Sequence, residues 1–362
     1  MTNEQLTDAA EVAAELRAVA ADIFADAAGR LTDTVARPLD AQVWATLEST
    51  GLARLTGSES SGGSDAGWLE AAAVLGEAAS AGVPLPLLEH DLLAGWLRDA
   101  ADLPVPASAE AGTGSPADAA GAAPSISTAA EAVGTGRPVT VPWLPAAASV
   151  VVLDSSGERP QVYEMAASDL VFDERSSVTG EPQAVAVLPT GVAGAVEVSE
   201  ELADEFRHRG ALGRAVQMAG AAEAISRLCV EHVTTRVQFG RPIGRFQAVQ
   251  QLVTDVASEA ALTRTIVDRA VLTVAEHGMQ DARSRFVIAA AKACAGGAAE
   301  TIVRNAHQIH GAIGTTLEHS LQRRTRPVMG WRREFGSTAE WEARIEGQVL
   351  DQGADLWELI TA

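Results

Sequence analysis

Two short stretches of this sequence could contact a ligand, the first through its side chains and the second through its backbone amides. The first runs from Arg236 to Gln247 and contains arginines, glutamines and two phenylalanines. A guanidinium group forks onto phosphate oxygens, a glutamine bonds amides and hydroxyls, and an aromatic ring covers a flat ligand. This mixture is unusual for a structural turn, although a helix hairpin with solvated arginines is the alternative.

The second stretch runs from Gln308 to Gly314. Gly311 and Gly314 permit a positive φ or a close backbone approach, so main-chain amides there could face a ligand. The alternative is an ordinary glycine end to a helix.

Long helices are predicted to hold both stretches in place. Apolar residues recur at helical spacing on both sides of the first stretch, and Pro242 lacks the amide donor that a continuing helix needs. The first stretch is therefore a predicted helix–loop–helix corner. Small residues over 289–299 favour close packing in a bundle. The predicted helices cover 201–236, 246–277, 281–310, 317–332 and 338–359.

The chain before this bundle changes character twice. Helical patterns over 3–103 give way to an alanine-, glycine- and proline-rich segment over 104–130, and then to short β-branched runs. We therefore predict a mainly α fold with a β-domain: an N-terminal helical domain (1–104), a shortened central β-domain (105–200) and a C-terminal helical bundle (201–362). Strands are predicted at 139–141, 149–153, 161–163 and 184–188.

The amino-acid composition excludes some classes of binding partner. The 362 residues carry a formal net charge of -21, which argues against nucleic acid or an anionic membrane as the main partner. No apolar run approaches the roughly 18 residues that span a bilayer, and the acidic N-terminus does not resemble a signal peptide. Cys229 and Cys294 are expected to be buried thiols. We expect a cytoplasmic protein.

Taken together, Arg236-x-Gln-Phe-Gly-x-Pro-Ile-x-x-Phe-Gln247 and Gln308-Ile-His-Gly-x-x-Gly314 resemble two signature segments of the acyl-CoA dehydrogenase family of flavoproteins. The segment from Leu52 to Leu97 and the helix–β–helix order are also similar to that family. The resemblance implies a helical N-terminal domain, a β-barrel-like central domain and a four-helix bundle that builds a tetramer, with FAD at a subunit interface.

The resemblance also implies roles for individual residues. The first corner of such a protein reaches the FAD of a neighbouring subunit, so Arg236 would contact the pyrophosphate. Gln308 and the backbone around the next histidine and glycine would contact the same cofactor from the second corner. The implied cofactor-binding residues are Arg236, Gln238, Phe239, Gln247, Gln308, His310 and Gly311.

Two departures from the family pattern concern catalysis. Family members use a glutamate base, whose carboxylate must reach the α-carbon of the thioester. One of the two family positions for it falls here near Gly210, where there is no carboxylate. The other falls at Phe335, beside Glu334, which is the weak candidate for a base. The family's Thr-Glu-Pro-x-x-Gly-Ser-Asp-like flavin loop has no counterpart over 105–200.

These losses suggest a subunit that serves a complete partner. The chain resembles the non-catalytic subunit of actinobacterial α2β2 acyl-CoA dehydrogenases, which act on bulky thioesters, including those of cholesterol side-chain degradation. On this interpretation the partner binds most of the acyl-CoA, and FAD is shared at the interface. The alternatives are a homotetrameric enzyme that uses Glu334 or Glu205 as base, and a flavin-free structural relative.

Two further expectations concern clusters of like residues. No pair of histidines is expected to have further metal-binding side chains beside it, so no metal is predicted. An arginine cluster is expected to pair with carboxylates across a subunit interface, with attraction of an anionic cofactor as the alternative. Its members are Arg323, Arg324, Arg326, Arg332 and Arg333.

Overall fold

The computed structural model describes residues 3–104 and 125–351. It confirms the predicted fold class, which is mainly helical with a small region of sheet. The predicted start of the β-domain (105–124) and the end of the last predicted helix (352–359) lie outside the described residues. The chain forms two compact units. One comprises Met1–Val35, Ala72–Val83 and Ala211–Ala362, and the other comprises Ala36–Ala71 and Pro84–Gly210.

The described helices follow the predicted pattern closely. A π-helical stretch, Leu88–Gly95, precedes the fourth helix, and a 3-10 turn, Gly311–Thr315, follows the seventh. The helices are α1 (Asn3–Arg30), α2 (Ala41–Ser49), α3 (Trp68–Ala81), α4 (Trp96–Ala100), α5 (Glu200–Thr235), α6 (Gln247–His277), α7 (Ala282–His310), α8 (Gln322–Trp331) and α9 (Thr338–Asp351).

Small residues let helices of the first unit approach closely. A Cβ atom built on Gly220 of α5 would lie 2.1 Å from the carbonyl oxygen of Gly76 on α3, so only glycine fits at this crossing. In α7 the alanines at 289, 291, 295, 298 and 299 are all buried. These packing positions agree with the bundle predicted from the small-residue run.

The eighth helix begins later than predicted. The sequence places a helix over 317–332, whereas α8 begins at Gln322. The segment before it is a turn in which Nδ1 of His319 accepts the Leu321 N–H at 3.1 Å. A side-chain acceptor for a backbone amide competes with helix formation at this point.

Two small sheets form the β-region of the second unit. Their strand orders are β1-β3-β4-β7 and β2-β6-β5. Four strands confirm predicted runs, whereas β1, β5 and β7 were missed. Strand β1 runs parallel to β3, with Ser127 opposite Ser149. The strands are β1 (Ser127–Ala132), β2 (Pro138–Pro142), β3 (Ser149–Asp154), β4 (Gln161–Ala166), β5 (Phe172–Glu174), β6 (Gln183–Val187) and β7 (Val196–Glu197).

One described helical stretch, Ala282–Thr315, is long and apolar enough by length and composition to cross a bilayer, with a mean hydropathy of 1.5 in its most apolar window. The expectation that no run approaches that length was therefore too strict. More than half of that window, 56%, is buried inside the protein, which is the pattern of a core helix.

Candidate functional site

The first corner is a hairpin rather than an irregular loop. After α5 ends at Thr235, strands β8 (Val237–Gln238) and β9 (Arg241–Pro242) pair antiparallel. Phe239 and Gly240 connect them with φ of +52° and +77°, the two positive values that a type I′ turn requires. The Ile243 N–H donates to the Arg236 carbonyl at 2.9 Å and closes the base of the hairpin.

The tip of this hairpin is exposed. The Phe239 side chain is 90% exposed, and Arg236, Gln238 and Gln247 are exposed as well. The Phe239 ring meets Phe246 edge to face, with centroids 6.0 Å apart. The hairpin therefore presents one apolar ring among exposed polar side chains.

Arg241 steadies the same hairpin from the other strand. Its guanidinium carbon lies 4.3 Å from the centroid of the Phe246 ring, a cation–π contact. Phe246 thus contacts both sides of the turn, because it also meets Phe239. The hairpin is held by its own aromatic packing while its outer face stays available.

The second corner lies at the end of α7. Gln308 is exposed there, whereas His310 is 5% exposed and points inward. Gly311 follows with φ +63° and ψ -144°, a conformation that favours glycine, and among the described residues no atom beyond its chain neighbours lies within 4 Å of where its Cβ would be. A ligand can therefore approach this stretch of backbone.

A histidine contact joins the two corners. The ring of His232, in the last turn of α5, lies 4.5 Å from the ring of His310. The His319 ring lies 4.9 Å from His310 on the next segment. The expectation that no histidine pair has further metal-binding side chains beside it was wrong, because three elements distant in sequence bring these rings together. That no metal binds stays a prediction. Only His310 was singled out from the sequence, and nothing in the spacing 232, 310 and 319 could have shown the cluster.

Glu334, the weak candidate for a base, is held by an arginine. Nε and Nη2 of Arg214 lie 2.8 and 2.6 Å from its Oε2. Arg214 is 1% exposed and also donates to Gln217. Since both of these contacts use Oε2, the guanidinium fixes the carboxylate in place.

Lys292 anchors the turn that carries Glu334. Its side chain is fully buried in α7, and Nζ donates to the carbonyls of Arg332 and Gly336 at 3.0 Å each. Burial, the largest influence, lowers the pKa of Lys292 to about 8. A buried ammonium and a buried guanidinium thus set the geometry of this turn.

On α5, at the second position where the family resemblance places a catalytic glutamate, the structure has an arginine packed on two tryptophan rings. Arg209, next to Gly210, lies 4.2 Å from the Trp96 ring and 5.7 Å from the Trp68 ring. Its Nε donates to Glu205 at 2.9 Å, so the other candidate base is also engaged by an arginine. Burial is the main cause that lowers the pKa of Arg209.

The arginine cluster after the second corner makes contacts inside its own unit. Arg323 binds Asp33 and the carbonyls of Ala28 and Leu31. Arg324 donates to the carbonyls of Ser80 and Ala81 at the end of α3. These cations meet helix C-termini, where partial negative charge gathers. The expected pairing across a subunit interface was therefore wrong for these two residues, whose partners lie within the chain.

The second unit has a cleft of about 540 Å³ beside strands β5 and β6. Leu170, Phe172 and Met165 give it an apolar wall, and Asp169 and Asp173 add two carboxylates. The predicted cofactor-binding residues do not line it.

Comparison with known proteins identifies the helical bundle. Residues 201–343 match the family model described as acyl-CoA dehydrogenase, C-terminal domain. The chain is 34% identical over 137 residues to acyl-CoA dehydrogenase IpdE2 of Mycobacterium tuberculosis (strain ATCC 25618 / H37Rv), which covers 38% of this chain and 40% of that protein. The matched stretches span only 35% to 42% of the length of the three foremost curated relatives.

Solved structures share the whole fold. The ChsE4-ChsE5 complex from Mycobacterium tuberculosis contains a chain that superposes with a TM-score of 0.76 at 23% identity, covering 94% of this chain and 98% of that one. A variant of the Tcur3481-Tcur3483 steroid ACAD superposes with a TM-score of 0.73 at 20% identity, covering 98% of this chain and 100% of that one. At these identities the likeness shows the fold.

Proposed function

We propose that this chain, which belongs to the acyl-CoA dehydrogenase family through its C-terminal domain, is the non-catalytic subunit of a heteromeric acyl-CoA dehydrogenase. The observation that carries the proposal is a contrast within the chain. The corner side chains that would serve a neighbour's cofactor are exposed, except that of His310, whereas the positions that would serve the chain's own chemistry are filled or engaged.

The corner residues fit an FAD held between two chains. Arg236 supplies a cation for a diphosphate, and Gln238, Gln247 and Gln308 supply amides that bond a nucleotide. The open space in front of Gly311 admits a ligand to the backbone. Arg236, Gln238, Gln247 and Gln308 would hold the FAD, which would supply the acceptor for the hydride that leaves the β-carbon of the acyl group. This chain's part is to bind and orient the adenine and pyrophosphate side.

The engagement of both candidate bases supports the non-catalytic assignment. A general base must reach a proton on the substrate. Glu334 is fixed by Arg214, and Glu205 is fixed by Arg209. Gly210 has no carboxylate. The rings of Trp68 and Trp96 pack against the adjacent Arg209.

The names of the structural neighbours support a homologous partner. ChsE4-ChsE5 is a complex of two unlike chains by name, and Tcur3481-Tcur3483 is named a steroid ACAD. We propose by analogy an α2β2 heterotetramer that shares FAD at its interface and acts on a bulky, steroid-like acyl-CoA bound mainly by the partner. The acidic charge of -21 agrees with a cytoplasmic protein without nucleic acid or membrane as partner.

One observation favours the alternative of a homotetramer with Glu334 as base. The Glu334 side chain is 35% exposed, and both Arg214 contacts go to Oε2 rather than to Oε1. A substrate could therefore meet the other oxygen.

Flavin content separates these functions. The protein is purified alone and after co-expression with an acyl-CoA dehydrogenase encoded beside it, and flavin absorbance is compared with protein concentration. Little flavin alone, with one FAD per pair of unlike chains, supports the proposal. One FAD per chain in the protein alone contradicts it.

A further inference from the structure

Three histidine side chains that the proposed function leaves unused lie together at the junction of the two corners. His232, His310 and His319 each place a ring nitrogen within 4.8 Å of ring nitrogens of the other two. The ring centroid of His310 lies 4.5 Å from that of His232 and 4.9 Å from that of His319. Two imidazoles bound to one zinc ion through bonds of 2.0–2.1 Å have ring centres about 5 Å apart. The observed spacing is close to that value.

His310 carries the strongest indication of a missing ligand. Its Nδ1 lies 2.8 Å from the Ala306 carbonyl, so that nitrogen donates and Nε2 holds the lone pair. The ring is 5% exposed, and among the described residues its Nε2 has no hydrogen-bond partner. A buried acceptor left unpaired is costly. A metal-binding histidine is commonly fixed by donating its other N–H to a backbone carbonyl.

The surroundings keep the rings neutral. Burial is the largest cause that lowers the pKa of His232, His310 and His319. A neutral imidazole is the form that binds a metal. Among the charged neighbours, Glu231 favours a cation, whereas Arg236 and Arg324 oppose one.

We propose that His232, His310 and His319 form a binding site for a divalent transition-metal ion of the zinc class, which imidazole nitrogens suit. His232 and His319 are only partly buried, so a fourth position is open to water. Bringing the nitrogens into one coordination sphere needs side-chain movements of about 1 Å. This site goes beyond the proposed function and does not depend on it.

The three ligands are unequal. Nδ1 of His319 already accepts the Leu321 N–H, 3.1 Å away. A metal that binds Nδ1 must break this hydrogen bond, and a metal that binds Nε2 must displace the proton on Nε2. His310 has no such competitor in the described chain, although the Leu228 carbonyl would accept a proton from a charged ring. We therefore expect His310 to contribute more to affinity than His319.

The test uses the full chain without a histidine tag, stripped of metal by EDTA and then dialysed. Titration calorimetry with Zn²⁺ should give one site per chain, and Co²⁺ should produce the visible absorption of a tetrahedral nitrogen-ligated ion. His310→Ala should weaken Zn²⁺ binding by about tenfold or more, and His319→Ala should weaken it less. His277→Ala, which removes an exposed histidine at the end of α6, is the matched control and should leave binding unchanged.

His232→Gln provides a second test at a partly buried position and keeps the buried His310 side chain, and circular dichroism checks the fold of each variant. Absence of saturable Zn²⁺ binding overturns the site. So does equal affinity in the wild type, His310→Ala and His232→Gln, because the metal would then lie elsewhere. The flavin measurement is unaffected by either result, so this inference and the proposed function fail separately.

Discussion

Nη2 of Arg214 lies 2.6 Å from Oε2 of Glu334, and the guanidinium that makes this contact is almost completely buried. The carboxylate offsets a positive charge that is buried in a poorly solvated place. Glu334 therefore has a structural task whatever its part in catalysis.

Glu334→Gln should lower the free energy of unfolding, because it removes the negative charge that the buried Arg214 guanidinium contacts. A loss of about 1–3 kcal/mol is expected for a charged hydrogen bond at a partly exposed carboxylate, measured by urea unfolding. Under the proposed function, flavin reduction by acyl-CoA in the complex stays unchanged. Glu300→Gln is the control, since Glu300 is 66% exposed and 3.9 Å from Arg332. Its effect should stay within about 0.5 kcal/mol.

The opposite result has a clear meaning. Loss of flavin reduction in a Glu334→Gln complex of normal stability would identify Glu334 as the base and would favour the homotetramer alternative.

Arg236→Ala should weaken FAD retention in the complex, because it removes the guanidinium expected at the diphosphate. The expected loss is about 1.5–3 kcal/mol of binding free energy, measured by flavin release during dilution. Arg283→Ala is the matched control: Arg283 is also exposed but lies at the opposite end of α7 from Gln308, about 40 Å away along the helix. Equal flavin loss in both variants would remove Arg236 from the site.

Gly220→Ala should destabilise the bundle. The added Cβ would lie 2.1 Å from the Gly76 carbonyl oxygen, which belongs to the backbone and cannot rotate away. The expected loss is about 3 kcal/mol or more, measured as a fall in the midpoint of thermal or urea unfolding. Gly297→Ala is the control in α7, where no atom of the described residues outside the adjacent helix backbone lies within 4 Å of the new Cβ. Helix propensity predicts that it is neutral or stabilising by up to about 1 kcal/mol.

Lys292 should make the free energy of unfolding change with pH in the alkaline range. Its pKa in the folded protein is lowered from 10.5 to about 8, with burial as the main cause. Between these values the unfolded chain binds the proton and the folded chain does not, so this residue makes stability rise with pH. Below pH 8 both states are protonated, and the burial of the charge is a constant penalty.

The contribution of Lys292 is measured by difference, because other groups titrate in the same range. Burial raises the pKa of Cys229 to about 12, which makes stability fall with pH in both proteins compared. Relative to Lys292→Met, the wild type should gain about 2–3 kcal/mol in the free energy of unfolding between pH 8 and 10. Parallel pH curves for the two proteins would show that Lys292 keeps its ordinary pKa.

The sequence predicted elements wherever periodicity was strong. The bounds of α5, α6 and α7 agree with it to within a residue or two, because each helix has a long buried face. Strand β1 was missed because Ser127–Ala132 is rich in alanine and lies at the edge of a low-complexity segment. Its place is set by the parallel pairing with Ser149–Asp154, a long-range relationship that local propensity does not encode.

The candidate site was predictable in its exposed part and not in its buried part. The Arg236 and Gln308 corners stand out by residue type and spacing. The Arg214–Glu334 pair spans 120 residues, and the histidine cluster joins three separate segments. Such contacts follow from how helices pack, so a linear pattern could not reveal them. The domain boundaries and the individual cofactor contacts stay predictions.

The exposed turn at Phe239 affects how long the protein survives in the cell before it assembles with a partner. A phenylalanine at φ +52° occupies a position where asparagine or glycine would be easier, and its ring is displayed to water. Under the proposed function a partner covers that ring, so a newly made copy without a partner presents it to chaperones and proteases. Cells that make the two chains in unequal amounts would then clear the surplus, and co-translation of the pair would set the yield of active enzyme.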